Sequence, residues 1–230
     1  MNANAQEREL LERFLKTTDI RQPVQTAENL MNRFGSLRRI LECPGRTLCL
    51  TGGLSPAAAL LLTSLPELAR LRALEAFDGK RALNRLEIAA DCAQAAYVGV
   101  SRERFMLIEL DKTYRVLRRR YLSDGTMRET SLSSRKLMQL LGETEARAVI
   151  FCHNHPGGLA RFSAADMDST KQAMELLEIL DIAMLDHLLV TRKGVVSLRR
   201  SGMFRERQWM ATGSQNIPES EWILPAKSEK

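Results

Sequence analysis

The chain has 230 residues, 44% of them hydrophobic and 27% charged, with a formal net charge of +6. These values are those of an ordinary globular protein with enough apolar material for a core, and they exclude a low-complexity or collagen-like chain. No apolar run reaches the ~18 residues of a membrane span, the first dozen residues do not read as a secretory leader, and four irregularly spaced cysteines do not read as a disulfide framework. The expected location is therefore the cytoplasm, and the mild basicity leaves DNA open as a partner.

The first ninety residues read as a small all-helical domain. Glu7–Thr17, Thr26–Phe34 and Pro56–Leu62 have helical periodicity, and Leu37, Ile40 and Leu41 continue it. Gly35, Pro44-Gly45, Gly52-Gly53 and Pro66 punctuate the pattern. Asp78-Gly79 is a weak break, and Arg81–Ala96 reads as a further helix.

From about Tyr97 the pattern changes. Arg104–Leu110 and the basic Tyr114–Leu122 read as strands, and Asp124-Gly125 as a turn. Ser134–Leu141 reads as a helix, and Ala148–Cys152 as a buried strand. Ala164–Leu180 has the stripe of an amphipathic helix. His187–Thr191 and Val195–Arg199 flank Arg192-Lys193-Gly194 as a hairpin. Residues 206–230 lack periodicity and read as a loose tail. The predicted organisation is a helical domain at 1–90, an α+β or α/β domain at 97–205 with a mixed sheet flanked by helices, and that tail.

The chemistry gathers at Phe151–Asp166, F-C-H-N-H-P-G-G-L-A-R-F-S-A-A-D. Side chains alternate along a strand, so His153 and His155 project to one side of its end. Pro156 stops the strand and Gly157-Gly158 turns the chain. Asp166 falls in the first turn of the following helix and can return over the strand end. Two imidazoles and one carboxylate suit Zn2+ and leave a fourth position for water, whose pKa the ion lowers to about 7. Ser163 is placed to hydrogen-bond a developing oxyanion. The same Ser163-x-x-Asp166 spacing also reads as a helix capping box, a role compatible with metal binding by Asp166.

This pattern, H-x-H, seven residues, Ser, two residues, Asp, resembles the signature of the JAMM (MPN+) metalloproteases, matched at His153, His155, Ser163 and Asp166. The run His153-Asn154-His155-Pro156-Gly157-Gly158 and the later Leu185-Asp186-His187 are similar to the RadC-like branch, over roughly residues 97–205. The resemblance implies a JAMM-type mixed sheet and a zinc-dependent metallopeptidase acting on peptide or isopeptide bonds of a peptide or protein substrate. Phe34-Gly35-Ser36-Leu37 with Gly52-Gly53-Leu54 is similar to that family's helix-hairpin-helix region, which implies backbone contacts to nucleic-acid phosphates. The alternative function is a DNA-associated binding module whose metal site is structural or vestigial.

The chain departs from the family pattern in three places. Gly157 stands where Ser is frequent, Ser134-Arg135-Lys136 stands where P-R-E is expected, and Gly52-Gly53-Leu54 disturbs the G-x-G of the hairpin. The resemblance also implies an upstream Glu acting as general base. Glu109, a carboxylate in an apolar strand on the face of Phe105 and Leu107, is one candidate; an edge-strand surface residue is the other reading. Asp186-His187 reads either as a support for a ligand histidine or as a hydrogen-bonded pair starting the hairpin. Arg118–Arg120 reads as a solvated strand face or a contact for nucleic acid.

Overall fold

The computed structural model describes residues 3–124, 134–142, 144–201 and 223–225. Two compact units divide the chain, Met1–Leu71 and Arg72–Lys230. Among the described residues no helix is long and apolar enough to cross a membrane.

The first unit is built from α1 (Ala3–Leu15), α2 (Pro23–Phe34), α3 (Leu37–Leu41), α4 (Gly45–Gly52) and the start of α5 (Pro56–Leu74). Pro23 sits in the first turn of α2, where a missing N–H costs nothing. Gly35 closes α2 at φ 80°, and Ser36 caps α3 by accepting a hydrogen bond from Arg39 N. Leu11, Leu15, Leu30, Ile40, Leu48 and Leu62 form the core. Gly52 packs closely on α2: a Cβ there would lie 2.7 Å from Leu30 Cδ2 and would displace that side chain.

Two readings of the helical region are corrected here. Pro66 does not end a helix; α5 passes through it to Leu74. Arg81–Ala96 is not one helix. Leu83 N donates to Tyr114 O and Ala82 bridges Arg115, so only α6 (Leu86–Ala96) winds. Those extended contacts satisfy backbone groups that a helix would otherwise have to pair.

Among the described residues the second unit holds a six-stranded mixed sheet in the order β2-β1-β3-β4-β5-β6. The strands are β1 (Arg104–Leu110), β2 (Val116–Asp124), β3 (Ala148–Asn154), β4 (Ala183–Thr191), β5 (Gly194–Ser197) and β6 (Ile223–Pro225). Between them lie α7 (Ser134–Gly142) and α8 (Ala164–Ile179). The pairing β3/β4 is parallel and every other pairing is antiparallel. A parallel pair needs a crossover, which α8 supplies.

Alternation divides the core in two. Met106, Ile108, Leu110, Ile150 and Cys152 pack with α6, whose run of buried alanines permits close approach. Phe105, Leu107, Val149 and Phe151 pack with Leu137 and Leu141 of α7 and with Ala173 and Leu177 of α8. β3 is buried along its whole length, as a central strand requires. Gly125 of the expected turn lies outside the described residues, and so does the expected tail, except that Ile223–Pro225 is not loose: it pairs with β5.

Candidate metal centre

Crossing from β3 through α8 to β4 brings the chemistry to one end of the sheet. His153 is the last-but-one residue of β3, opposite Phe105 of β1, and is 1% exposed. It shares the face of Val149 and Phe151, the face that α8 covers. His155 N donates to Val190 O, so the chain keeps its strand direction for two more residues and the second imidazole returns to the same side. Gly158 N then donates to His155 O, and Gly158 takes φ 83°, a left-handed turn that glycine enters freely. The reversed loop delivers Ser163 as the N-cap of α8.

Three sequence-predicted ligands converge. His153 Nε2 lies 3.2 Å from His155 Nε2 and 3.7 Å from Asp166 Oδ2. One ligand atom from each of the three residues fits within 4.8 Å of the others, an arrangement that could hold a metal ion. The chemistry of the contact tests that fit. His155 Nδ1 is 2.9 Å from Leu159 O, and only a proton on Nδ1 can satisfy a carbonyl. A neutral His155 therefore turns a bare Nε2 toward the other two groups. Two nitrogens bound to one tetrahedral zinc at ~2.0–2.1 Å stand about 3.3 Å apart, close to the 3.2 Å found.

Electrostatics favour ligands over charges. Burial pushes the pKa of His153 down to about 4, against the opposing pull of the Asp166 carboxylate, so the ring is neutral at physiological pH. Burial likewise holds His187 well below its usual value. His187 Nε2 is 2.8 Å from His153 Nδ1, on the side of that ring away from His155. The three imidazoles thus form a row, edged by Phe105 and Phe162.

Ser163 and Asp166 make the capping box that their spacing allows. Ser163 Oγ accepts from Asp166 N, and Asp166 Oδ2 accepts from both Ser163 N (2.8 Å) and Ser163 Oγ (2.7 Å). Helix start and carboxylate placement are one construction, because the cap that begins α8 also aims Asp166 at the histidines.

The other sequence candidates fall elsewhere. Glu109 is neither at this centre nor on a surface. It lies four residues along β1 from Phe105, roughly 13 Å at ~3.3 Å per residue, and is wholly buried with Arg120 Nε 2.7 Å from its Oε1. β1 is also not an edge; among the described residues β2 is. The arginine run divides: Arg120 meets Glu109, Arg119 pairs with Asp78, and Arg118 is exposed.

Asp186 and His187 divide as well. The Asp186 carboxylate accepts from His187 N, Arg199 N and Ser197 Oγ and so holds β4, β5 and the turn after them together. Burial raises its pKa to about 6 despite those three donors. His187 alone turns to the histidine row. Sequence reasoning passed over Thr170, whose Oγ1 is 2.7 Å from His187 Nδ1; its i+4 relation to Asp166 was the available signal.

The RadC-like JAB domain family matches residues 83–203. UPF0758 proteins of Shewanella sp. (strain W3-18-1), Shewanella putrefaciens and Shewanella baltica are each 33% identical over 187 residues, covering 81% of this chain and 80% of theirs.

Proposed function

Because this chain belongs to the family of RadC-like JAB domains, we propose that it is a zinc-dependent hydrolase of peptide or isopeptide bonds. One observation carries the reading: two imidazoles and a carboxylate meet at a spacing that suits a single tetrahedral ion. His153, His155 and Asp166 would hold the ion. When bound, zinc would supply Lewis acidity and a water acidic enough to ionise near neutral pH.

The remaining roles belong to the chain. Glu103 is assigned to take a proton from the attacking water onto a carboxylate oxygen and to pass it to the departing amine nitrogen. What supports this is sequence position: Glu103 immediately precedes β1, two residues before Phe105, the partner of His153, and strand alternation continued by one residue would turn it to the His153 face. Ser163 is assigned the oxyanion of the reacting carbonyl. Its hydroxyl can leave Asp166 Oδ2 without freeing that oxygen, because Ser163 N continues to donate to it. The buried ring row keeps bulk water from the far side of His153.

The experiment is direct. Purified full-length chain is expected to carry about one zinc per molecule by elemental analysis and to cleave members of a peptide and isopeptide library. Chelation should stop cleavage, and added zinc should restore it. A zinc-loaded chain that cleaves no amide in either library would overturn the hydrolase reading. Ser163→Ala is expected to act twice. Loss of the cap lowers unfolding free energy by ~1 kcal/mol in urea titrations of the metal-free protein. Loss of the oxyanion contact lowers kcat by about 10²–10³. A stability change with an unaltered kcat would restrict Ser163 to the cap.

A further inference from the structure

The hydrogen bonds behind His153 form a continuous series whose protons can be placed one at a time. Thr170 Oγ1 donates to the backbone carbonyl of Asp166 at 2.6 Å. A hydroxyl has one proton, and a carbonyl brings none, so that proton is committed. The 2.7 Å contact between Thr170 Oγ1 and His187 Nδ1 then needs a hydrogen from the ring. His187 is accordingly protonated on Nδ1, and in the neutral ring Nε2 is an acceptor. Its 2.8 Å contact with His153 Nδ1 needs a hydrogen from His153. His153, protonated on Nδ1, is left with a bare Nε2 pointing at His155 and Asp166.

We propose that Thr170 and His187 are positioning residues that lock His153 into the one tautomer able to bind a metal. The proposal rests on the metal-centre reading above and deepens it. It explains why a histidine in the middle of β4 packs fully buried among Phe105, Phe151 and Phe162 instead of another apolar side chain. It also resolves the 3.2 Å contact between the two ligand imidazoles. With both rings neutral, neither Nε2 carries a proton, so the contact is not an N–H···N bond; two lone pairs face a common point beside a carboxylate. Such an arrangement is favourable when a cation occupies that point.

The series ends where it serves two purposes. Thr170 is one turn along α8 from Asp166 and holds the carbonyl of that very residue. A single helix therefore carries the third ligand and the group that sets the tautomer of the first. Without the Thr170 oxygen, the His187 Nδ1 proton has no acceptor in that direction. Moving the proton to His187 Nε2 would satisfy the ring, and would force the His153 proton onto its own Nε2, into the space where the ligands meet.

With three histidines in the chain, the ring nitrogens can be assigned from long-range 15N–1H correlation spectra of the metal-free full-length protein. His153 and His187 are expected to show protonated Nδ1. Thr170→Val removes the oxygen at constant shape. It is expected to move the proton of His153 to Nε2 and to weaken zinc binding about 10–100-fold, measured by competition with a chromophoric chelator. Thr170→Ser keeps the oxygen and should restore both readouts. A protonated Nε2 on His153 in the wild type overturns the inference, and so does a Thr170→Val protein with wild-type zinc affinity. If the valine variant does not fold, the wild-type spectrum decides alone. Wild-type protein that shows the expected tautomers yet takes up no zinc would sink the metal reading and leave the tautomer assignment standing.

Discussion

His153→Ala and His155→Ala are each expected to lower zinc affinity by about three orders of magnitude. A tightly held zinc contributes ~10–16 kcal/mol, and losing one of three protein ligands removes on the order of a third of it. The two variants should part company in stability. His153 is buried between the rings of Phe105, Phe162 and His187. Truncating it opens a cavity and strips His187 Nε2 of its hydrogen bond, for a combined cost of about 2–4 kcal/mol. His155 is only partly buried and sits past the strand end, so its truncation should cost about 1 kcal/mol or less. Elemental analysis and urea unfolding of the metal-free proteins measure both quantities. Undiminished zinc in the His155 variant would mean that the ion binds elsewhere.

Glu103→Gln is expected to lower kcat by about 10²–10⁴ while leaving zinc content and unfolding midpoint near wild type. The range is that of a lost general base. The amide keeps the size of the carboxylate but cannot accept the proton. Single-turnover cleavage across pH 5–9 measures it. An unchanged rate removes Glu103 from the chemistry. Glu109 offers no substitute, since Arg120 already lies against it and the Leu107–Phe151 row stands between it and the histidines.

How much of this was legible in the sequence follows from how local each feature is. His153, His155, Ser163 and Asp166 fall within one strand end, one loop and one helix start, so their spacing carries their geometry. Five of the six strands announced themselves by apolar runs, to within two residues at most ends; β4 begins four residues before the expected His187, and Ile223–Pro225 fell in the segment read as a loose tail. Two helical readings failed because something stronger overrode the local signal. Ala82 and Leu83 are drawn into extended pairing by the segment at Tyr114–Arg115, thirty residues on. Pro66 sits inside α5 even though it removes a backbone donor and crowds the preceding turn. The role of His187 was hidden for another reason. It depends on the parallel register that sets His187 beside Phe151, with α8 crossing above. Glu109 misled because its partner is on a neighbouring strand, diagonally displaced in the register, where no sequence period reveals it.

The three-residue strand at Ile223–Pro225 has a consequence beyond its size. It covers the outer side of Gly194–Val196, a short apolar stretch that would otherwise present free amides and carbonyls to the surroundings. A molecule shortened before Ile223 would expose a sticky template on which a neighbouring molecule could lay down a strand of its own. The far end of the chain is thus a safeguard against self-association, at the side of the sheet remote from β2.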